Sequence, residues 1–102
     1  MATIIKHGNV VTEEGVQKVD VKIENGVITA IGTDLVSNKE DQVIDASGKF
    51  VLPGVIDVHT HYKMSNPNGV TADDFESGSK SAACGGVTTY IDFASPIEGK
   101  SL

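Results

Sequence analysis

The sequence predicts an α/β chain in two parts, and three observations carry that expectation. Short apolar runs alternate with turn dipeptides over residues 1–52, Pro53-Gly54 interrupts the pattern, and beyond it a strand, a helix and a second strand follow in order. At 102 residues the chain has the size of one small domain, which rules out a complete multidomain enzyme.

In the first part, Thr3 to His7 is expected as the opening strand, turning at Gly8-Asn9 into Val10-Val11. Val19, Val21 and Ile23 alternate with Asp20, Lys22 and Glu24, the period of two that suits a half-buried strand. Asn25-Gly26 follows directly; both residues tolerate the positive φ of a type I′ turn, so Val27, Ile28 and Ile31 return as the partner strand. Thr33 to Gln42 is polar and reads as a loop. Val43-Ile44-Asp45 and Lys49-Phe50-Val51-Leu52 flank a turn at Ala46-Ser47-Gly48. Together these segments predict a small antiparallel sheet with little apolar content.

After Pro53-Gly54, Val55 to His61 starts apolar and ends polar, as buried parallel strands do where they meet a site. A loop through Asn66, Pro67, Asn68 and Gly69 leads to a helix, for which Thr71 is the expected N-cap with Asp74 three residues on. Asp73, Asp74 and Glu76 suit the positive end of the helix dipole. The helix is expected to run to about Cys84, with Phe75, Gly78, Ser79, Ala82 and Ala83 facing inward, and Gly85-Gly86 to end it. Val87, Thr89, Ile91 and Phe93 then alternate along a second strand, which completes a parallel strand–helix–strand unit.

Charge and composition exclude several partners. The eight basic residues are all Lys, fourteen acids oppose them, and the net charge is -6. With neither Arg forks nor a Lys run, nucleic acid is not an expected partner. Nor is a membrane, since no apolar stretch approaches the roughly eighteen residues a span requires and the start lacks a leader-like apolar region. A single cysteine, Cys84, forms no internal disulfide, and the chain reads as cytoplasmic.

The chemistry lies in His59-Thr60-His61. On a strand, residues i and i+2 share a face about 6.6 Å apart, so two imidazoles can lean toward one ion. The same spacing also suits a hydrogen-bonded structural pair. Placement at the C-terminal end of a parallel strand, where barrel enzymes carry their active sites, favours metal. Two ligands remain half a site.

Pro53-Gly54-Val55-Ile56-Asp57-Val58-His59-Thr60-His61, Asp73-Asp74-Phe75, the run from Ala82-Ala83-Cys84 through Gly85-Gly86 to Val87-Thr88-Thr89, and Ile91-Asp92-Phe93 resemble the N-terminal part of dihydropyrimidinases and hydantoinases. These are cyclic amidohydrolases of the metal-dependent amidohydrolase superfamily. The resemblance covers the whole chain, including Ile4 to Val11. It implies a small β-sandwich formed by the two ends of the chain, here residues 1–52, and a (β/α)8 barrel between them, whose first β-α-β unit is residues 53–102. It also implies two divalent metals, usually zinc, bridged by a carboxylated lysine, and a homotetramer or homodimer acting on a small cyclic amide. His59 and His61 match the two family histidines that bind the more buried metal.

The bridging lysine, two further histidines and the aspartate general base of that family belong to later barrel strands. A (β/α)8 barrel takes about 250 residues. The chain therefore reads as a fragment of such an enzyme, with no catalytic residue assigned within it and an incomplete barrel. Three function classes follow. In the leading one, the parent hydrolyses the ring amide of a dihydropyrimidine or hydantoin, with a dihydroorotase- or allantoinase-like cyclic amidohydrolase as its near variant. A non-catalytic homologue, like the collapsin-response mediator proteins, would lack metal ligands, and the intact His-Thr-His argues against it. A free-standing metal-binding module would be poorly served by two ligands.

Further residues have plainer readings beside functional ones. His7 reads as a surface or sheet-edge histidine, Cys84 as a small core residue, and Asp57 either as a group orienting a ligand or as a buried acid accepting backbone hydrogen bonds. Tyr62 and Asn68 lie in the loop at the site mouth, within reach of a substrate. Lys63 sits two residues beyond the pair, where related dihydroorotases typically carry an arginine that holds a substrate carboxylate and dihydropyrimidinases an uncharged or acidic residue. Lys63 is expected either to bind a negative group on the substrate or to point to solvent.

Overall fold

The structure is a computed structural model that describes residues 1–94, 96, 99 and 100. It divides into two compact units, Met1–Pro53 and Gly54–Leu102. Among the described residues no helix is long and apolar enough to cross a membrane.

The first unit is a five-stranded sheet built on β1 (Thr3–Thr12), β2 (Gly15–Glu24), β3 (Val27–Gly32), β4 (Gln42–Asp45) and β5 (Phe50–Val51). Its order is β3-β2-β1-β4, with β5 also on β1. The β2–β3 hairpin forms at Asn25 (φ 51°) and Gly26 (φ 77°), the two positive φ values of a type I′ turn, as the dipeptide predicts. The sheet is mixed, however, and the expectation of an antiparallel sheet is corrected: β4 and β5 both run parallel to β1. Strand direction depends on a partner some forty residues away, which local alternation does not encode.

Gly8-Asn9 is not a turn. β1 continues through it with a bulge between Ile5 and Gly8, where Lys6 and His7 oppose Asp20 alone. His7 takes φ 61° there, and its freed amide donates to Asp20 Oδ1 at 2.9 Å. The other oxygen, Oδ2, accepts from Leu35 N at 3.0 Å. Asp20, on the polar side of the expected alternation, is thus buried at 3% exposure because it satisfies two backbone donors that the sheet leaves unpaired. The buried apolar residues are few: Ala2, Ile4, Val10, Val21 and Ala46, with Ile4 fully enclosed.

The Ala46-Ser47-Gly48 turn gathers hydrogen bonds onto one carboxylate. Ser47 Oγ donates to Asp45 Oδ1 at 2.6 Å, Ser47 N at 3.0 Å, and His7 Nδ1 lies 3.4 Å away. These contacts, the serine hydroxyl foremost, pull the Asp45 carboxyl from its ordinary 3.8 to about 2. Because the folded state binds that proton less readily than the unfolded chain does, the contribution is complete above pH 3.8 and disappears as pH falls toward about 2. Urea midpoints measured down this range are expected to drop, and Ser47→Ala should flatten the drop. An unchanged acid slope in Ser47→Ala would contradict it.

The second unit comprises β6 (Val55–Thr60), a small hairpin of β7 (Ser65–Asn66) and β8 (Gly69–Val70), α1 (Phe75–Cys84) and β9 (Val87–Asp92). β6 and β9 pair in parallel with α1 between them in sequence, the strand–helix–strand order expected from the sequence. His61 and Phe93, expected as strand residues, lie one position past the strand ends. The N-cap is Asp74, not Thr71: Asp74 Oδ1 accepts from Ser77 N at 2.8 Å, and Ser77 Oγ accepts from Asp74 N at 3.1 Å. Thr71 is engaged elsewhere, its Oγ1 accepting from Met64 N at 2.9 Å. Gly85 and Gly86 donate to the last carbonyls and end the helix, as expected.

The inward face of α1 is narrower than the sequence suggests. Gly78 is buried and Ser79 and Ala82 are half-buried, while Phe75 and Ala83 are exposed. Cys84, expected in the core, is exposed at the last turn. Gly78 is where a ring approaches the helix: a Cβ there would lie 2.2 Å from Tyr62 Cε1.

Candidate metal centre

The site is built at the end of β6. Between Asp57 and Thr60 the β6–β9 register shifts, three steps on β6 matching two on β9, so an extra residue is accommodated beside His59. Such a bulge turns side chains away from their regular directions. Here it accompanies convergence of the two imidazoles: His59 Nε2 and His61 Nε2 lie 3.1 Å apart, with the rings edge-to-face at 81° and centroids 5.0 Å apart.

Phe93, just beyond β9, lies against both rings at 4.6 and 4.9 Å. It backs the pair with apolar surface that offers no competing hydrogen bond. His61 Nδ1 is buried with no hydrogen-bond partner among the described residues. The separation fits a shared ion: ligated at about 2.0–2.1 Å each, two nitrogens this far apart subtend about 100° at the metal, near the tetrahedral value. It equally fits a direct N–H···N hydrogen bond between neutral rings, so both readings of the spacing have a geometric counterpart. No third His, Cys, Asp or Glu joins them in a metal-binding group among the described residues.

Asp57 is exposed, and its Oδ1 accepts from His59 N at 3.1 Å, which makes it a local backbone acceptor rather than a buried acid. Tyr62 N donates to Asp92 Oδ2 at 2.8 Å, and this bond leads the contacts that hold the Asp92 carboxyl below its ordinary range. The Tyr62 ring stands edge-on to Phe75 and Tyr90 at 5.8 and 4.9 Å. Desolvation first, then the neighbouring phenol and carboxylates, push its hydroxyl above its ordinary pKa.

Lys63 is exposed with φ 51°, and its amide donates to Asp73 O at 2.8 Å. With Tyr62, Met64, Ser65, Phe75, Phe93 and Pro96 it lines a pocket of about 290 Å³. Phe93 is common to this pocket and to the histidine pair. Asn68 is not among the lining residues; its amide donates to Asn66 Oδ1 in the β7–β8 turn. His7 is exposed and belongs to the first unit, beside Asp45. The sequence reading assigned no role to Asp92 and Phe93, although a polar and an aromatic residue at the C-terminal end of the second parallel strand were the available signal.

The chain that carries this histidine pair at the end of a parallel strand–helix–strand unit is similar to known proteins. The model of the amidohydrolase family matches residues 50–99. The matched stretch is 50 of the 102 residues, and this part of the chain is similar to that family. Over 102 residues it is 44% identical to the D-hydantoinase of Ralstonia pickettii, an alignment that covers all of this chain and 22% of that protein. It is 43% identical to the dihydropyrimidinase of Rattus norvegicus, with 97% of this chain and 20% of the relative covered. Among solved structures, the dihydropyrimidinase from Brevibacillus agri superposes with a TM-score of 0.90 at 43% identity, covering 100% of this chain and 22% of that one. The chain thus spans about a fifth of the length of the relatives it matches.

Proposed function

We propose that these residues are the first part of a metal-dependent cyclic amidohydrolase that opens the ring amide of a dihydropyrimidine or hydantoin. The observation that carries the reading is the convergence of His59 and His61 to 3.1 Å between their Nε2 atoms, in a chain whose relatives are named for those reactions. On this reading residues 1–52 contribute to a β-sandwich and residues 53–102 open a (β/α)8 barrel. The rest of the barrel supplies the carboxylated lysine, the remaining histidines and the general base, and the whole protein assembles as a homotetramer or homodimer.

His59 and His61 would hold one of two divalent ions, zinc by the chemistry of imidazole donors. When bound, such ions lower the pKa of water and polarise an amide carbonyl. The contributions of this chain are to present two imidazoles with their Nε2 atoms 3.1 Å apart, to back them with the Phe93 ring, and to offer Lys63 and Tyr62 at the adjoining pocket. Metal analysis after dialysis tests the reading. The complete protein is expected to retain about two divalent ions per chain, and the 102 residues alone at most one, weakly. A metal-free complete protein, or tight stoichiometric zinc on the 102 residues, would overturn it.

A second aspect concerns what the pocket accepts. Lys63 brings a positive charge to a wall otherwise formed by Tyr62, Met64, Ser65, Phe75, Phe93 and Pro96, and it makes no salt bridge among the described residues. The substrate on this reading is a cyclic amide that carries or tolerates a negative substituent. Losing a charge-assisted hydrogen bond costs about 1.5–3 kcal/mol, or roughly ten- to a hundred-fold in kcat/KM. Lys63→Met in the complete protein is expected to lose that much on a carboxylated substrate and little on an uncharged one. Equal losses on both, or none on either, would remove Lys63 from substrate binding.

A further inference from the structure

His61 lies one residue past the end of β6, beyond the last strand pair, Thr60 with Asp92. Something other than the sheet ladder must fix it. The fixing group is on β9: a single oxygen, Asp92 Oδ2, accepts from Thr60 Oγ1 at 3.1 Å and from Tyr62 N at 2.8 Å, the residues on either side of His61. Phe93 N adds a longer contact to Thr60 O at 3.4 Å. Thr60 is buried, which limits competition from water at that end of the clamp.

We propose that Asp92 is the positioning residue of the histidine pair. A carboxylate oxygen that spans positions 60 and 62 resists rotation of the backbone about His61, because such a rotation breaks both hydrogen bonds together. With that backbone held, and the bulge setting His59, the two Nε2 atoms meet. The clamp deepens the metal reading above but stands on these hydrogen bonds, so the two ideas fail separately. Both contacts are accepted by oxygen, so an amide in place of the carboxylate keeps them, with its Oδ1 turned to the same donors. Alanine removes both.

Selective 15N-histidine labelling of the complete protein, with His59→Ala and His61→Ala spectra to assign the two signals, resolves both rings. Without metal, long-range 1H–15N spectra are expected to show His59 and His61 as a complementary pair. One Nε2 carries the shared proton and the other is bare. Asp92→Ala is expected to lose this signature and leave two tautomerically averaged rings, whereas Asp92→Asn keeps it. Thr60→Val removes one of the two bonds and should weaken the pairing, which keeps the test decisive should Asp92→Ala not fold. In the complete protein, Asp92→Ala is expected to hold Zn2+ about 10–100-fold more weakly against a chelator, as outer-shell partners of ligands typically do. Asp92→Asn should stay close to the unaltered protein. Pairing that survives in Asp92→Ala or is untouched in Thr60→Val, equal loss in Asn and Ala, or no pairing in the unaltered chain would overturn the clamp. A paired signature in a complete protein that takes up no Zn2+ would instead support the clamp and overturn the metal reading.

Discussion

On the proposed metal reading, alanine in place of His61 is expected to strip metal from the complete protein. The change leaves His59 as the one imidazole of the pair, and no group of three or more His, Cys, Asp or Glu side chains is gathered for a metal among the described residues. A ligand contributes more than a residue that merely orients one, so the loss of Zn2+ affinity should exceed the about 10–100-fold typical of outer-shell changes. Metal content after dialysis against a chelator measures this directly, and His59→Ala should behave alike. His7→Ala, whose ring contacts Asp45 in the first unit, is the control and should leave metal content unchanged. Full retention in both His59→Ala and His61→Ala would show that the imidazole contact is a structural hydrogen bond.

Gly78→Ala is expected to reverse the sign of an ordinary helix substitution. In the interior of a helix alanine outperforms glycine by about 0.8–1.0 kcal/mol. Here the added Cβ would lie 2.2, 2.5 and 2.9 Å from three Tyr62 ring atoms. The ring is flanked edge-on by Phe75 and Tyr90 and its own amide is tied to Asp92, so any withdrawal toward the adjoining pocket disturbs those contacts. Overpacking of this kind costs about 1–3 kcal/mol, enough to outweigh the propensity gain. In a Tyr62→Ala background the obstruction is gone and Gly78→Ala should become stabilising by nearly the full propensity term. A double-mutant cycle by urea denaturation reads the coupling. Additive effects would mean that the ring yields freely and that the loop carrying Tyr62 and Lys63 is not seated on the helix.

What the sequence reveals follows from how local each cause is. Asn25-Gly26 marks its hairpin correctly because the demand for positive φ lies in those two residues. The order strand, helix, strand after Pro53 was likewise readable from the change of period. The N-cap was not, because Thr71 and Asp74 both suit the position and the choice is made by Met64 N, a tertiary partner that takes up the Thr71 hydroxyl. Asp20 reads as a polar-face residue until the bulge at Lys6-His7 supplies the amide that draws its carboxylate inward. The histidine pair shows the same division. Its spacing is visible in the chain, but the 3.1 Å approach accompanies a register shift between Asp57 and Thr60, and its backing by Phe93 and Asp92 comes from a strand thirty residues on.

The central place of β1 bears on the order in which the first unit forms. Its antiparallel neighbour β2 follows after a two-residue turn, and β3 after another, so this meander can assemble from contacts close in sequence. The parallel partners on the other edge of β1 arrive only after the polar stretch 33–41 has looped back, and Gln42 N then donates to Ala2 O at 2.8 Å. Closing that longer loop precedes the contacts that reward it, so it is the natural late step. On a ribosome the first three strands would emerge and pair while β4 was still unmade, with one side of β1 waiting. Lengthening the 33–41 loop should therefore slow folding while shifting stability little, since each doubling of loop length costs only about 0.6 kcal/mol.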